Sequence, residues 1–169
     1  MKRRYPNIEK NKLSEFNTAE IRGWVIDRLV QIEYRVNNII FEFFQPEEKQ
    51  VFNEVLLNSS VIDFGGKAKI LYNIGVSKTT LGKLRKIVSI RNAFAHASLG
   101  EDITLNVSID EEGNENVKLD SWSIVTVMNA EGSINRKAIS EYLEQFLDLN
   151  SELRDEFDEF LEALRKRKK

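Results

Sequence analysis

The sequence predicts a mainly α fold, an antiparallel bundle of about five helices with a β-hairpin inserted before the last long helix. Three observations carry that prediction. Val25, Leu29, Ile32, Val36, Ile39 and Phe43 recur in alternating steps of four and three, the period of a long amphipathic helix. Ile139, Leu143, Phe146, Asn150, Leu153, Phe157, Phe160 and Leu164 repeat that spacing late in the chain. Between these stretches Ile103, Leu105, Val107 and Ile109 alternate with Thr104, Asn106 and Ser108, the period of a strand with one buried face.

In chain order, residues 1–16 read as a basic, flexible N-terminus, 17–164 as one domain and 165–169 as a basic tail. A length of 169 residues with 41% hydrophobic and 31% charged side chains is ordinary for one globular domain and argues against disorder throughout. Asn17-Thr18-Ala19-Glu20 opens the first helix with a capping side chain and an acid in the first turn. Pro46 ends it, and Pro46-Glu47-Glu48 suits the first turn of a short second helix through Leu57. A third helix follows Ser59-Ser60 or Asp63 and stops near Gly75, where glycine tolerates a left-handed cap. The fourth runs from about Ser77 to His96. After it comes the hairpin, about 102–127, with turn chemistry in Asp110-Glu111-Glu112-Gly113-Asn114 and a return strand from Val117 to Val127, interrupted at Asp120-Ser121. Residues 129–133 read as a loop, and the last helix starts at about Ser133. Its four-three seam has Asn150 at a position where a buried polar residue can fix register in a coiled coil, so the seam either packs within the chain against the first helix or pairs two chains. Gly65-Gly66 lacks phosphate-loop spacing and reads as a close-packing site.

Charge is unevenly spread. The formal net charge of -2 includes +5 from Arg165-Lys166-Arg167-Lys168-Lys169, leaving the remainder at -7. There is no cysteine, so disulfides and thiolate zinc sites are excluded, and a reducing, cytoplasmic setting fits. The single histidine, His96, rules out a histidine-rich metal site within one chain. Neither a signal-peptide pattern nor an apolar run of about 20 residues is present, so no membrane partner is expected. No cofactor or metal is expected.

The chemistry concentrates in Ser89-Ile90-Arg91-Asn92-Ala93-Phe94-Ala95-His96-Ala97. On a wheel of about 100° per residue, Leu81, Leu84, Ile87, Val88, Ile90, Phe94 and Ala95 form an apolar arc with Arg91 in its middle. A guanidinium there needs a carboxylate, with Glu33 and Asp63 the internal candidates, or a groove or subunit boundary that admits an anion. Arg85, Ser89, Asn92 and His96 form a polar flank, and Asn92 and His96, four apart, are neighbours. Histidine can move protons near neutral pH while arginine stabilises phosphate charge, which suits cleavage of RNA by its own 2′-hydroxyl. Such cleavage uses a base and an acid, so one histidine per chain requires either two chains meeting or water or another group in the second role. The alternative is that Arg91 pairs internally and His96 merely ends the helix.

Arg91-Asn92-Ala93-Phe94-Ala95-His96 resembles the signature of the HEPN superfamily. Ser60 to Lys67 and Ile70 to Gly75 are similar to the helices preceding that motif in the mannitol operon repressor-like branch. The resemblance spans about forty residues, from Ser60 to Leu99. It implies a helical, usually homodimeric domain with paired motifs at the subunit interface. Arg91, Asn92 and His96 are then the catalytic residues of a metal-independent endoribonuclease with an RNA substrate and a cognate antitoxin, in toxin–antitoxin or antiviral defence. The branch itself is associated with regulation, which implies the alternative of a non-catalytic regulatory or protein-interaction module. The hairpin and the long acidic last helix lie outside the minimal family pattern. Direct DNA repression fits less well, because no helix-turn-helix with a basic recognition helix stands out, although Lys78, Lys83, Arg85 and Lys86 make the start of the fourth helix basic.

Overall fold

The structure, a computed structural model, describes residues 18–96, 98–109, 115–128 and 134–167. The N-terminal segment 1–16, the cap at Asn17, the turn 110–114, the loop 129–133 and the last two tail residues lie outside them. The chain is mainly helical, with a small antiparallel sheet before the last long helix.

Helix α1 (Thr18–Phe44) buries Ile21, Trp24, Val25, Leu29, Ile32, Val36, Ile39 and Ile40 along one side, as its four-three spacing requires. It ends where Gln45 enters the left-handed region at φ 47. The Gln45 side chain donates to the Glu42 carbonyl at 3.1 Å, satisfying one of the free acceptors at the helix end. Helix α2 (Lys49–Val51) is one turn that widens into a π-turn over Phe52–Leu56. Phe52 turns inward against Phe41 and Phe44, with ring centroids 6.2 and 6.3 Å away.

Asp63 opens α3 (Phe64–Asn73) by accepting from the Gly66 backbone N–H at 2.7 Å. A Cβ on Gly66 would lie 2.8 Å from Ile62 Cγ2, so the glycine is required by the capping turn itself rather than by a neighbouring helix. Gly75, at φ 101, reverses the chain. Ser77 then caps α4 (Lys78–His96) by accepting from the Thr80 N–H at 3.0 Å.

The sheet has three strands in the order β1-β2-β3, formed by Ser98–Ile109, Glu115–Met128 and Ile134–Ala138. β1 pairs antiparallel with β2 over the whole length of β1, and Asp120 and Ser121 stay in register opposite Thr104 and Ile103. The expected interruption there is absent, because the ladder carries two polar residues once both flanks are paired. A second correction concerns the last helix, which begins at Ile139 rather than near Ser133. Residues 134–138 instead pair with Ile124–Met128 as a third strand, since the free edge of β2 offers them a ladder that local helical preference cannot match.

Helix α5 (Ile139–Lys166) buries Ile139, Leu143, Phe146, Asn150, Leu153, Phe157 and Leu164, with Phe160 partly covered. This seam packs inside the chain, chiefly against α1 and also against α4. Trp24 meets Phe146 edge to face at 5.7 Å, Arg35 meets Asp158 at 3.1 Å and Glu42 meets Arg165 at 3.8 Å. These contacts advance together, so α1 and α5 run parallel. α4 runs antiparallel to both, since Lys83 reaches Glu152 and Glu156 while Phe94 reaches Tyr142. The sheet covers the end of the bundle where α4 stops and α5 starts, inserting Ile124 and Val125. Among the described residues no helix is long and apolar enough to cross a membrane.

Candidate site on the basic α3–α4 hairpin

The expected site residues all fall near the C-terminal end of α4. Leu81, Leu84, Ile87, Ile90, Ala93 and Phe94 are buried. Val88, Arg91 and Ala95 are only half-buried and share one side of the helix. Arg91 thus stands at the margin of the apolar arc rather than beneath it. The reason is that α3 covers the first half of α4 and does not extend to the level of Arg91. Arg85, Ser89, Asn92 and His96 are all exposed, forming the polar flank the wheel predicts.

Both carboxylates considered as partners for Arg91 are engaged elsewhere. Glu33 accepts from Lys67 Nζ at 2.6 Å and also from the Ser59 hydroxyl. Lys67 is completely buried, so this pair ties α3 to α1. Asp63 is occupied in capping α3. Among the described residues the Arg91 guanidinium makes no hydrogen bond or ion pair. Arg91 and His96 lie about 7 Å apart along the helix axis and about 140° apart around it.

Sequence periodicity overlooked a second property of this region, although it is readable from the residues. From Phe64 to His96 the chain contains no Asp or Glu, while Lys67, Lys69, Lys78, Lys83, Arg85, Lys86 and Arg91 are all cationic. A basic hairpin is therefore set into an otherwise acidic body, and a polyanion approaching α4 meets no acid on that helix.

At the opposite end of α4, Lys83 bridges to Glu152 at 2.6 Å and to Glu156 at 2.5 Å. Hydrogen bonds to these two carboxylates raise the lysine above its ordinary value. Burial would push the Glu156 carboxyl up, but hydrogen bonds from Lys83 and Thr80 and the lysine charge outweigh it and hold the group low. A cleft of about 360 Å³ opens beside this cluster, lined by Gly75, Val76, Ser77, Thr80, Glu156, Glu159 and Phe160. It lies about 24 Å along the helix from His96, too far to share a substrate group with it. A smaller groove of about 160 Å³ lies between α3 and α4, lined by Phe64, Gly65, Ala68, Leu84, Arg85 and Val88. Among the described residues no group of three or more acidic or histidine side chains is placed to hold a metal ion.

No protein-family model, no curated protein and no solved structure matches this chain.

Proposed function

We propose that this chain is a HEPN-like endoribonuclease that works without a metal as a homodimer, in a toxin–antitoxin or antiviral defence setting. The observation that carries this reading is the state of Arg91. It is half-buried, it has no acid partner among the described residues, and it stands beside exposed Asn92 and His96. A half-buried arginine without an acid partner among the described residues is disposed to receive an anion from outside, and phosphate is the anion its planar donors fit.

In the proposed reaction the ribose 2′-oxygen attacks the adjacent phosphorus, the P–O5′ bond breaks, and a 2′,3′-cyclic phosphate and a 5′-hydroxyl are left. One His96 takes the 2′-proton and the His96 of a second copy gives a proton to the leaving oxygen. Arg91 offsets the charge developing on the phosphoryl oxygens, and Asn92, one turn before His96, orients the imidazole or the substrate. Ile26, Val30 and Tyr34 lie along one outer face of α1 and are 42%, 58% and 67% exposed, an apolar stripe of the kind a subunit contact covers. The absence of cysteine supports a cytoplasmic location.

Single-stranded RNA incubated with the protein and a chelator tests the reading. Cleavage should fall by about 10²-fold or more in His96→Ala and in Arg91→Ala. Equal cleavage by the parent and both variants would sink the assignment. A second reading, a regulatory module that binds a protein partner or antitoxin, is favoured by the corner between α1 and α2. There Phe43, Phe44, Val51, Val55 and Leu56 are all exposed.

A further inference from the structure

We infer that the groove between the start of α3 and the middle of α4 is a subsite for one unstacked nucleobase of the RNA chain whose phosphate Arg91 and His96 engage. The inference rests on the ribonuclease reading and adds a binding element to it.

The groove has the shape and chemistry of a base slot. Its volume is about 160 Å³, and Phe64, Ala68, Leu84 and Val88 supply apolar walls. Gly65 leaves one wall without a side chain, although a Cβ there would meet only the Asp63 carboxylate, at an ordinary 3.4 Å. Arg85 is the only polar side chain among the lining residues, and it is exposed at the rim. Splayed-out bases of single-stranded RNA stack on aromatic rings and on arginine planes, and this groove offers one of each. With almost nothing to hydrogen-bond a base edge, it reads the presence of a base rather than its identity.

Position links the groove to the motif. Val88, Asn92 and His96 follow at intervals of four on α4, so the groove opens about one turn, 6 Å, before Asn92 and two turns before His96. The occupant is a nucleic-acid base rather than a purely apolar peptide because of the charge around it. Apart from the Asp63 carboxylate, which caps α3 beside Gly65, the α3–α4 hairpin carries no acid through His96, and Lys69, Arg85 and Lys86 are exposed on it. A strand tracking this surface keeps its phosphates among cations while one base turns into the slot.

Binding of a short single-stranded RNA to the full chain carrying His96→Ala, followed by fluorescence anisotropy, tests this without cleavage. Replacing each nucleotide in turn by an abasic one should weaken binding roughly tenfold at a single position, the scale of one stacked base. Filling the groove with Ala68→Leu should weaken the intact RNA by the same factor and flatten the abasic profile. Arg85→Ala, at an exposed position, repeats the test where the first variant fails to fold, and should at least halve the dip. A flat profile in the parent overturns the subsite. If cleavage still depends on Arg91 and His96, the ribonuclease reading survives that result. Conversely, where the parent cleaves no RNA and the catalytic assignment falls, a dip removed by Ala68→Leu or Arg85→Ala still supports the subsite. Absence of RNA binding overturns the subsite.

Discussion

Helices α4 and α5 both pack into the core, yet they handle charge in opposite ways. α5 carries nine acids between Glu141 and Glu162, and its apolar seam is buried against α1 and α4. Lys83, Arg35 and Lys137 each pair with an α5 acid from another element or the preceding strand, and the other acids are mostly exposed, as on an ordinary solvated face. α4 carries only cations, and its most unusual residue, Arg91, has no partner among the described residues. Burial accounts for the seam of α5 and ion pairs for several of its acids, whereas Arg91, Asn92 and His96 on α4 have no ion pair among the described residues. A residue that stability does not require is where function is to be sought.

The sharpest way to break this contrast is to compare truncations on the two helices. Phe146→Ala removes a fully buried ring edge to face with Trp24, and urea denaturation should show a loss of about 3–5 kcal/mol. Arg91→Ala in the same assay should stay within about 0.5 kcal/mol of the parent. A large loss for Arg91→Ala would mean that the arginine is a structural residue after all.

A smaller effect is expected at the buried ion pair that ties α3 to α1. Lys67→Met keeps the side-chain length but leaves Glu33, 20% exposed, without its cation. The expected cost is about 2 kcal/mol, discounted from a fully buried pair because Glu33 retains some water. An unchanged unfolding midpoint would show that the pair only breaks even.

Asn150 sharpens the account of α5. It is 8% exposed, and its Oδ1 has no hydrogen-bond partner. Asn150→Leu should therefore stabilise the chain by about 1 kcal/mol in urea denaturation. A changed oligomeric state in the variant, read by light scattering, would instead make Asn150 a determinant of register and partner number.

The mildest prediction concerns Lys83. Glu156 is held below its ordinary value, so its contribution is present above the ordinary carboxylate range and is lost as pH falls through the lowered value. Lys83 is raised, so its contribution is present below the ordinary lysine value and is lost as pH rises through the raised one. Lys83→Met should flatten the profile of melting temperature against pH at both ends, and added salt should shrink the difference, because the cluster is partly exposed. An identical profile in parent and variant would show that the bridge is thermodynamically silent.

Much of the fold is legible in particular residues. The four-three spacing of α1 and α5, the Asp63 cap, the Gly75 reversal and the alternation of Ile103 to Ile109 each depend on local geometry that a short window contains. The third strand was not legible, because Ile134-Asn135-Arg136-Lys137-Ala138 has no strong alternation and becomes a strand only through the free edge of β2. At the site, the Arg91–Asn92–His96 arrangement and its polar flank follow from helical periodicity. The α3–α4 groove did not, since Phe64 and Val88 lie far apart in the chain and meet only once Gly75 folds the hairpin.

The sequence by itself determined the helical periods, the single histidine, the absence of cysteine and the acid-free stretch from Phe64 to His96. Each is a property of composition or of spacing within a few turns. Tertiary structure alone decided which carboxylates Arg91 could reach. Glu33 lies 58 residues before it and Asp63 lies 28 before it, so either pairing depends on how α1 and α3 pack. That packing gives Glu33 to Lys67 and Asp63 to the start of α3. Both carboxylates are thereby engaged, and Arg91 is left without an acid partner among the described residues.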